Sequence, residues 1–167
     1  KDSYNGAPYY EWDSRLKYRE YTALKEFEDK NYQDILFHKY LQYKFFSEWY
    51  DLKKYANNNG IKIIGDIPIY VSRDSADVWA ERNLFLLDDT LEPTSVAGCP
   101  PDSFSKTGQL WGNPLYDWDY HKKNGFQWWK NRIKNALSMY DILRIDHFRG
   151  FDEYYAIPFG DSTAENG

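Results

Sequence analysis

Ile142-Leu143-Arg144-Ile145-Asp146-His147-Phe148-Arg149-Gly150-Phe151 reads as a short apolar strand running into a loop that carries Arg, Asp, His and Arg within six positions. A buried strand fixes its end residues in space. Arg144 and Asp146 are two apart, so on a strand they project to the same side. A fixed guanidinium beside a carboxylate favours its ionised form. An ionised, rigidly placed carboxylate is what covalent catalysis on a sugar carbon requires. The same pair could instead be an ion pair closing the mouth of a barrel, and the strand alone does not decide between the two.

Working outward, residues 126–140 place Phe126, Trp129, Ile133, Ala136, Leu137 and Tyr140 on one face, which predicts a helix feeding the strand at 142–145. Further back, Phe37, Leu41, Phe45, Trp49, Leu52 and Ala56 recur at helical spacing over 33–57, and Asn57-Asn58-Asn59-Gly60 ends that helix. Ile61-Lys62-Ile63-Ile64 follows, short and β-branched, as in a buried parallel strand, and Gly65-Asp66-Ile67-Pro68 breaks it. A helix is expected over 14–27, and a helical turn over 74–82 capped by Asp74 or Ser75. Residues 84–87 and 91–96 are expected to pair as a hairpin around Asp88-Asp89.

Residues 98–120 hold turn formers (Gly98, Pro100, Pro101, Gly108, Gly112, Pro114) and little periodicity, so a long loop is expected there. Its aromatic content argues against disorder. The order helix, strand, insertion, helix, strand is a β-α-β unit of an α/β fold. Two core strands cannot bury themselves, so the chain reads as a slice of a larger domain.

Composition narrows the function. The net charge is −5, which opposes a nucleic-acid surface. Aromatic residues make up 20% of the chain, enough both to fill a core and to offer stacking platforms for the apolar face of a pyranose. Cys99 is the sole cysteine, so an internal disulfide is impossible, and a reducing, cytoplasmic setting is expected. No apolar run is long enough to span a membrane.

Asp66 and Asp146 each follow an apolar strand. In one parallel sheet both would stand at the carboxyl edge, where barrels and open α/β sheets bind ligands. The loop over 98–118 would sit above that edge with Asp102, Phe104, Gln109, Trp111 and Asn113, a carboxylate, amide and aromatic set suited to hydroxyl-rich ligands. The aromatics could equally be hydrophobic anchors of the loop. His38, His121 and His147 lack metal-ligand spacing, with His38 expected on an amphipathic helix and His121 on a surface turn. No phosphate-cradling glycine loop and no nucleophile elbow are present.

Five blocks carry a family resemblance: Gly65–Val71, Asp74–Trp79, Val96–Asp102, Ser105–Tyr116 and Arg144–Phe151. In order and without gaps, these resemble the 4-α-glucanotransferases (amylomaltases or disproportionating enzymes). The resemblance implies an α-amylase-type (β/α)8 TIM barrel, of which residues 1–167 would be a truncated part of the catalytic domain. It implies Asp146 as nucleophile, Arg144 holding it ionised, Asp66 as an active-site acid at the end of the third barrel strand, and Trp111 in the substrate-covering loop. His147, Asp102, Phe104, Gln109 and Asn113 are expected to contact sugar. Ser103 stands where relatives often carry an aromatic.

The implied activity moves α-1,4-glucan segments from a maltooligosaccharide donor to an acceptor 4-hydroxyl with net retention, using no cofactor or metal. The acid/base Glu and a third carboxylate are expected beyond this chain. An amylase-like hydrolase and a non-catalytic glucan-binding segment are the rival readings.

Overall fold

The computed structural model describes residues 1–167 and divides into two compact units: Lys1–Ile67 with Asn131–Arg144, and Pro68–Lys130 with Ile145–Gly167. The division falls inside β1 (Ile64–Pro68) and β4 (Ile142–Asp146), which neighbour each other in a two-stranded sheet. These are the two core strands expected from sequence. β1 begins three residues later than the apolar run suggested, and Asp66 lies within it rather than after it. Gly65 is what its register requires: a Cβ there would stand 2.0 Å from the Tyr140 ring.

In the first unit, the expected helix over 14–27 is broken into α1 (Ser14–Lys17) and α2 (Tyr21–Lys30). Arg19 sits between them in the left-handed region, at φ 57°. The α1 cap is Asp13, whose carboxylate accepts from the Arg15 and Leu16 amides. α3 (Tyr32–Asn58) matches the long periodic stretch, yet none of its residues is buried, and Phe37, Leu41, Phe45 and Leu52 are exposed.

The C-terminal end of α6 (Gln127–Met139) is held by α3 side chains. Trp49 Nε1 donates to Met139 O at 2.9 Å, and Lys53 Nζ donates to Ser138 O and Tyr140 O, both at 3.1 Å. A cation on the last helical carbonyls also complements the helix dipole. Asp141, just beyond, accepts from Ile63 N and Asn57 Nδ2, each at 2.8 Å.

The second unit contains what the sequence concealed. The 98–120 stretch is ordered by β2 (Ser95–Cys99) and β3 (Gln109–Pro114), which pair antiparallel, with β5 (Tyr155–Pro158) on the other edge of β2. Gly98 permits this sheet, since a Cβ there would meet Gln109 O at 2.2 Å. α4 (Ala76–Ala80) is capped by Ser75 Oγ, which accepts from Val78 N at 3.2 Å. The hairpin expected over 84–96 is short: the Leu87 to Pro93 bridge is flanked by the Asp88 amide donating to Glu92 O at 2.8 Å and the Thr94 amide donating to Leu86 O at 3.1 Å, while Leu86 N donates to Leu115 O at 2.8 Å. α5 (Trp118–Lys123) replaces the expected surface turn, and His121 on it is fully buried.

Tyr116 is the centre of this unit. It is 2% exposed and packs against Tyr70, Phe85, Trp118, His121, Trp128 and Trp129 at centroid distances of 5.2–6.0 Å. Its hydroxyl donates to Ile69 O at 2.6 Å.

Asp141 supplies a pH test of the first unit. The Ile63 amide, then Asn57 and Lys53, hold its carboxyl below the usual aspartate range. A depressed folded pKa stabilises the fold above the unfolded value of about 3.9, and that stabilisation is lost as pH falls through the folded value. Urea unfolding of the protein is expected to show a larger drop in midpoint from neutral to acid pH than in Asp141→Asn. Equal acid sensitivity in the two proteins would contradict this.

Candidate functional site

The candidate site lies in the second unit, at the end of β4. Asp146 is the last residue of the strand, and His147 turns the chain sharply at φ 53°, ψ 43°. A left-handed histidine is conformationally costly and needs its surroundings to hold it. Gly150 makes the close return possible: a Cβ there would stand 2.9 Å from Ile69 Cδ1, 3.1 Å from the Tyr70 hydroxyl and 3.2 Å from His147 Cδ2.

A pocket of about 320 Å³ opens here, lined in part by Tyr70, Ser72, Trp111, Asn113, Asp146 and His147. That is large enough for a small ligand. Trp111 meets the His147 ring edge-on at 4.9 Å, and Tyr70 lies 6.2 Å from each of them. Trp111 Nε1 donates to Gln109 Oε1 at 3.0 Å, which fixes the indole from its own strand. Asn113 Nδ2 donates to Val71 O at 2.8 Å, tying β3 to the segment after β1. Burial pushes the Tyr70 phenol up to about 12, with smaller contributions from Tyr154 and Cys99, so it stays a neutral hydroxyl.

Four of the residues singled out from sequence, Trp111, Asn113, Asp146 and His147, thus share one pocket. Gln109 supports it through the indole. Asp102 and Phe104 occupy the turn between β2 and β3, where Asp102 Oδ1 accepts from the Phe104 and Ser105 amides at 2.8 and 2.7 Å. The Phe104 ring is 96% exposed, which a loop anchor would not be. In the first unit, Arg144 Nη1 donates to Asp66 Oδ2, and both side chains are more than half exposed. On β4, Arg144 and Asp146 both fall on the exposed side, as their spacing required.

Tyr70 and Ser72 were not expected in the site. Tyr70 lies in a block with no helical or strand period to orient it. Its ring contacts with Trp111, Tyr116 and His147, all more than 40 positions away in sequence, place it at the pocket.

A carboxylate at a strand end, facing aromatic rings and an amide, is the arrangement expected of α/β barrels that process sugars. A family model described as 4-alpha-glucanotransferase matches residues 1–167. The 4-alpha-glucanotransferase of Clostridium butyricum is 52% identical over 168 residues, covering 100% of this chain and 34% of that protein. That of Aquifex aeolicus is 52% identical over 162 residues, covering 97% of this chain and 33% of that protein. The amylomaltase of Streptococcus agalactiae, solved in complex with acarbose, superposes with a TM-score of 0.96 at 48% identity, over 100% of this chain and 34% of that one.

The chain belongs to the 4-alpha-glucanotransferase family. It spans about a third of the length of the relatives it matches, and its fold is a segment of their α-amylase-type TIM barrel. No helix is long and apolar enough to cross a membrane.

Cys99, half-buried at the end of β2, offers a chemical check on the packing around this region. Burial, and secondarily Asp102, pushes its thiol above the ordinary value, so less thiolate is present at any given pH. Alkylation by iodoacetamide, followed by mass spectrometry, is expected to be slower at neutral pH than for a free cysteine, and its rate to level off at a higher pH. Reaction at the free-thiol rate would show that Cys99 is not packed as described.

Proposed function

We propose that this chain is the nucleophile-bearing part of the catalytic barrel domain of a 4-α-glucanotransferase acting on α-1,4-glucans and maltooligosaccharides. The observation that carries the reading is the convergence of Asp146, His147, Trp111 and Asn113 on one pocket, with Tyr70 as a further ring. Asp146 attacks the anomeric carbon of the donor as the bond from that carbon to the leaving 4-oxygen breaks. The leaving oxygen takes a proton from a general acid. The acceptor's 4-hydroxyl then attacks the same carbon, gives its proton to the resulting base, and releases the Asp146 carboxylate. Two inversions give net retention.

Arg144 stands two residues before Asp146 on the same strand and is ion-paired with Asp66, a further active-site acid in this reading. Retaining chemistry also needs a carboxyl group about 5–5.5 Å from the nucleophile. Asp146 is the one carboxylate lining its pocket, and Glu153 is ion-paired with Arg149 at 2.8 Å. We therefore assign the acid/base to the part of the relatives that this chain does not span. Preference for a sugar over water comes from acceptor stacking on Trp111, held by Gln109, from contacts by Phe104 and Asp102 on the covering turn, and from the water they exclude.

In the complete enzyme, Asp146→Asn is expected to lower disproportionation of maltotriose by on the order of a thousandfold or more while maltotriose binding persists. Survival of about a tenth of wild-type turnover would exclude Asp146 as nucleophile.

Trp111→Ala removes a stacking face worth on the order of 1 kcal/mol and opens the site to water. Transfer is expected to fall several-fold. The ratio of glucose released to new oligomer formed from maltotriose is expected to rise. An unchanged ratio at an unchanged rate would make Trp111 only an anchor of its strand.

A further inference from the structure

We infer that the ion pair between Arg73 and Glu92 positions the Tyr70 and Ser72 wall of the Asp146 pocket, so that Arg73 is a positioning residue for sugar binding; this rests on the transferase reading above. Arg73 directly follows Ser72, which lines the pocket, while neither member of the pair lines it. Arg73 therefore acts through the backbone it anchors.

The segment after β1 has no partner strand, and it is tied down at every second residue. The Tyr116 hydroxyl donates to Ile69 O at 2.6 Å, and Asn113 Nδ2 donates to Val71 O at 2.8 Å. The third tie is Arg73 itself. Its Nη2 donates to Glu92 Oε2, and its guanidinium lies 4.9 Å from the centre of the Phe159 ring. A planar guanidinium can pair with a carboxylate and lie over a ring at once, which an ammonium does less well. The Arg73 and Glu92 side chains are 19% and 36% exposed, so salt screens the pair less than a surface one. Beyond Arg73 the chain turns into α4, with Ser75 N donating to Ser72 O at 3.0 Å. Ser72 is thus held from both sides, by Val71 before it and by Arg73 and the turn after it.

Glu92 is a fixed post for this tie. Its amide donates to Asp88 Oδ1 at 2.9 Å, and its carbonyl accepts from Asp88 N at 2.8 Å. The same Asp88 oxygen accepts from Thr90 N at 2.8 Å, which closes the tip of the hairpin. Glu92 stands just before β2 and Phe159 just after β5, where Ser95 and Pro158 are partners in register. Arg73 therefore clips the pocket wall to one end of the three-stranded sheet. Without the clip Ser72 and Tyr70 are free to shift against Trp111 and His147, which lie across the pocket from no part of the pair itself.

The test assays the complete enzyme on maltotriose and reads KM and kcat separately. A displaced wall weakens substrate and transition state alike, so KM rises while kcat holds. A loss of folding removes active enzyme, which lowers the apparent kcat and leaves KM where it was. Arg73→Glu and Glu92→Arg are each expected to raise KM by about three- to tenfold, with kcat within about threefold. Joining the two in one protein restores the pair in reverse, and KM is expected to return to within about twofold of wild type. Where a reversal fails to fold, Glu92→Gln keeps the backbone bonds to Asp88 and is expected to raise KM by about twofold or more. An unchanged KM in the single variants, or a double variant whose KM rise is the product of the two single rises, would overturn the positioning role while leaving the transferase reading intact. Failure of the unmodified enzyme to transfer at all would overturn both.

Discussion

The hydrogen bond from the Tyr116 hydroxyl to the Ile69 carbonyl is the constraint on which the site-bearing unit depends. Ile69 and Tyr70 follow directly on β1, where the chain has no regular partner strand to hold it. Tyr116 supplies the missing support twice, by satisfying the carbonyl and by stacking on the Tyr70 ring at 6.0 Å and 20°. Tyr70 in turn flanks Trp111 and His147, so the placement of the pocket wall passes through one buried phenol. Leaving that carbonyl without a donor would cost about 1–3 kcal/mol. Losing the ring contacts would add about 0.5–1.5 kcal/mol for each aromatic pair.

Those magnitudes rank the interactions. The ion pairs of the first unit are exposed, as with Arg15 to Glu26, whose side chains are 47% and 66% exposed. Pairs of that kind contribute about 0–1 kcal/mol and weaken with salt. The ring contacts around the buried Tyr116 carry no net charge and so are not weakened by salt. His121 belongs to this cluster: its Nε2 meets Leu84 O at 3.2 Å, and burial pushes its pKa down, which disfavours a charge in the cluster. Part of the high aromatic content thus serves the first purpose foreseen from composition, filling a core. Tyr70, Phe85, Tyr116 and Trp129 are buried in this core, whereas many other rings, Phe104 foremost, are open to solvent.

Legibility followed periodicity. β4, α6 and α3 were readable because each repeats its apolar positions at one period over its whole length. β3 was not, because Gly112 and Pro114 read as turn residues, no different from Pro100, Pro101 and Gly108 in the turn that joins it to β2. The break at Arg19 was hidden because a left-handed arginine carries no sequence signature. His121 was misplaced on the surface because a histidine among lysines looks solvated, whereas the cap at Asp117 turns that segment into a helix with one buried face. Asp146, His147, Trp111 and Asn113 could be named in advance because they stand at a strand end or in its covering segment. Tyr70 and the ion pair of Arg73 with Glu92 depend on contacts distant in sequence and needed coordinates. The exposed apolar face of α3 accords with a chain spanning about a third of its relatives' length.

The most direct test of Asp146 as the covalent nucleophile is to trap the intermediate. The complete enzyme would be treated with a fluorinated glucosyl fluoride donor, which forms the glycosyl-enzyme faster than it breaks down, then digested and sequenced by mass spectrometry. The expected result is one glucosyl adduct in the peptide containing Arg144–Arg149, located on the Asp146 carboxylate. An adduct on any other residue, or an enzyme that turns over this donor while Asp146 stays unlabelled, would contradict the assignment.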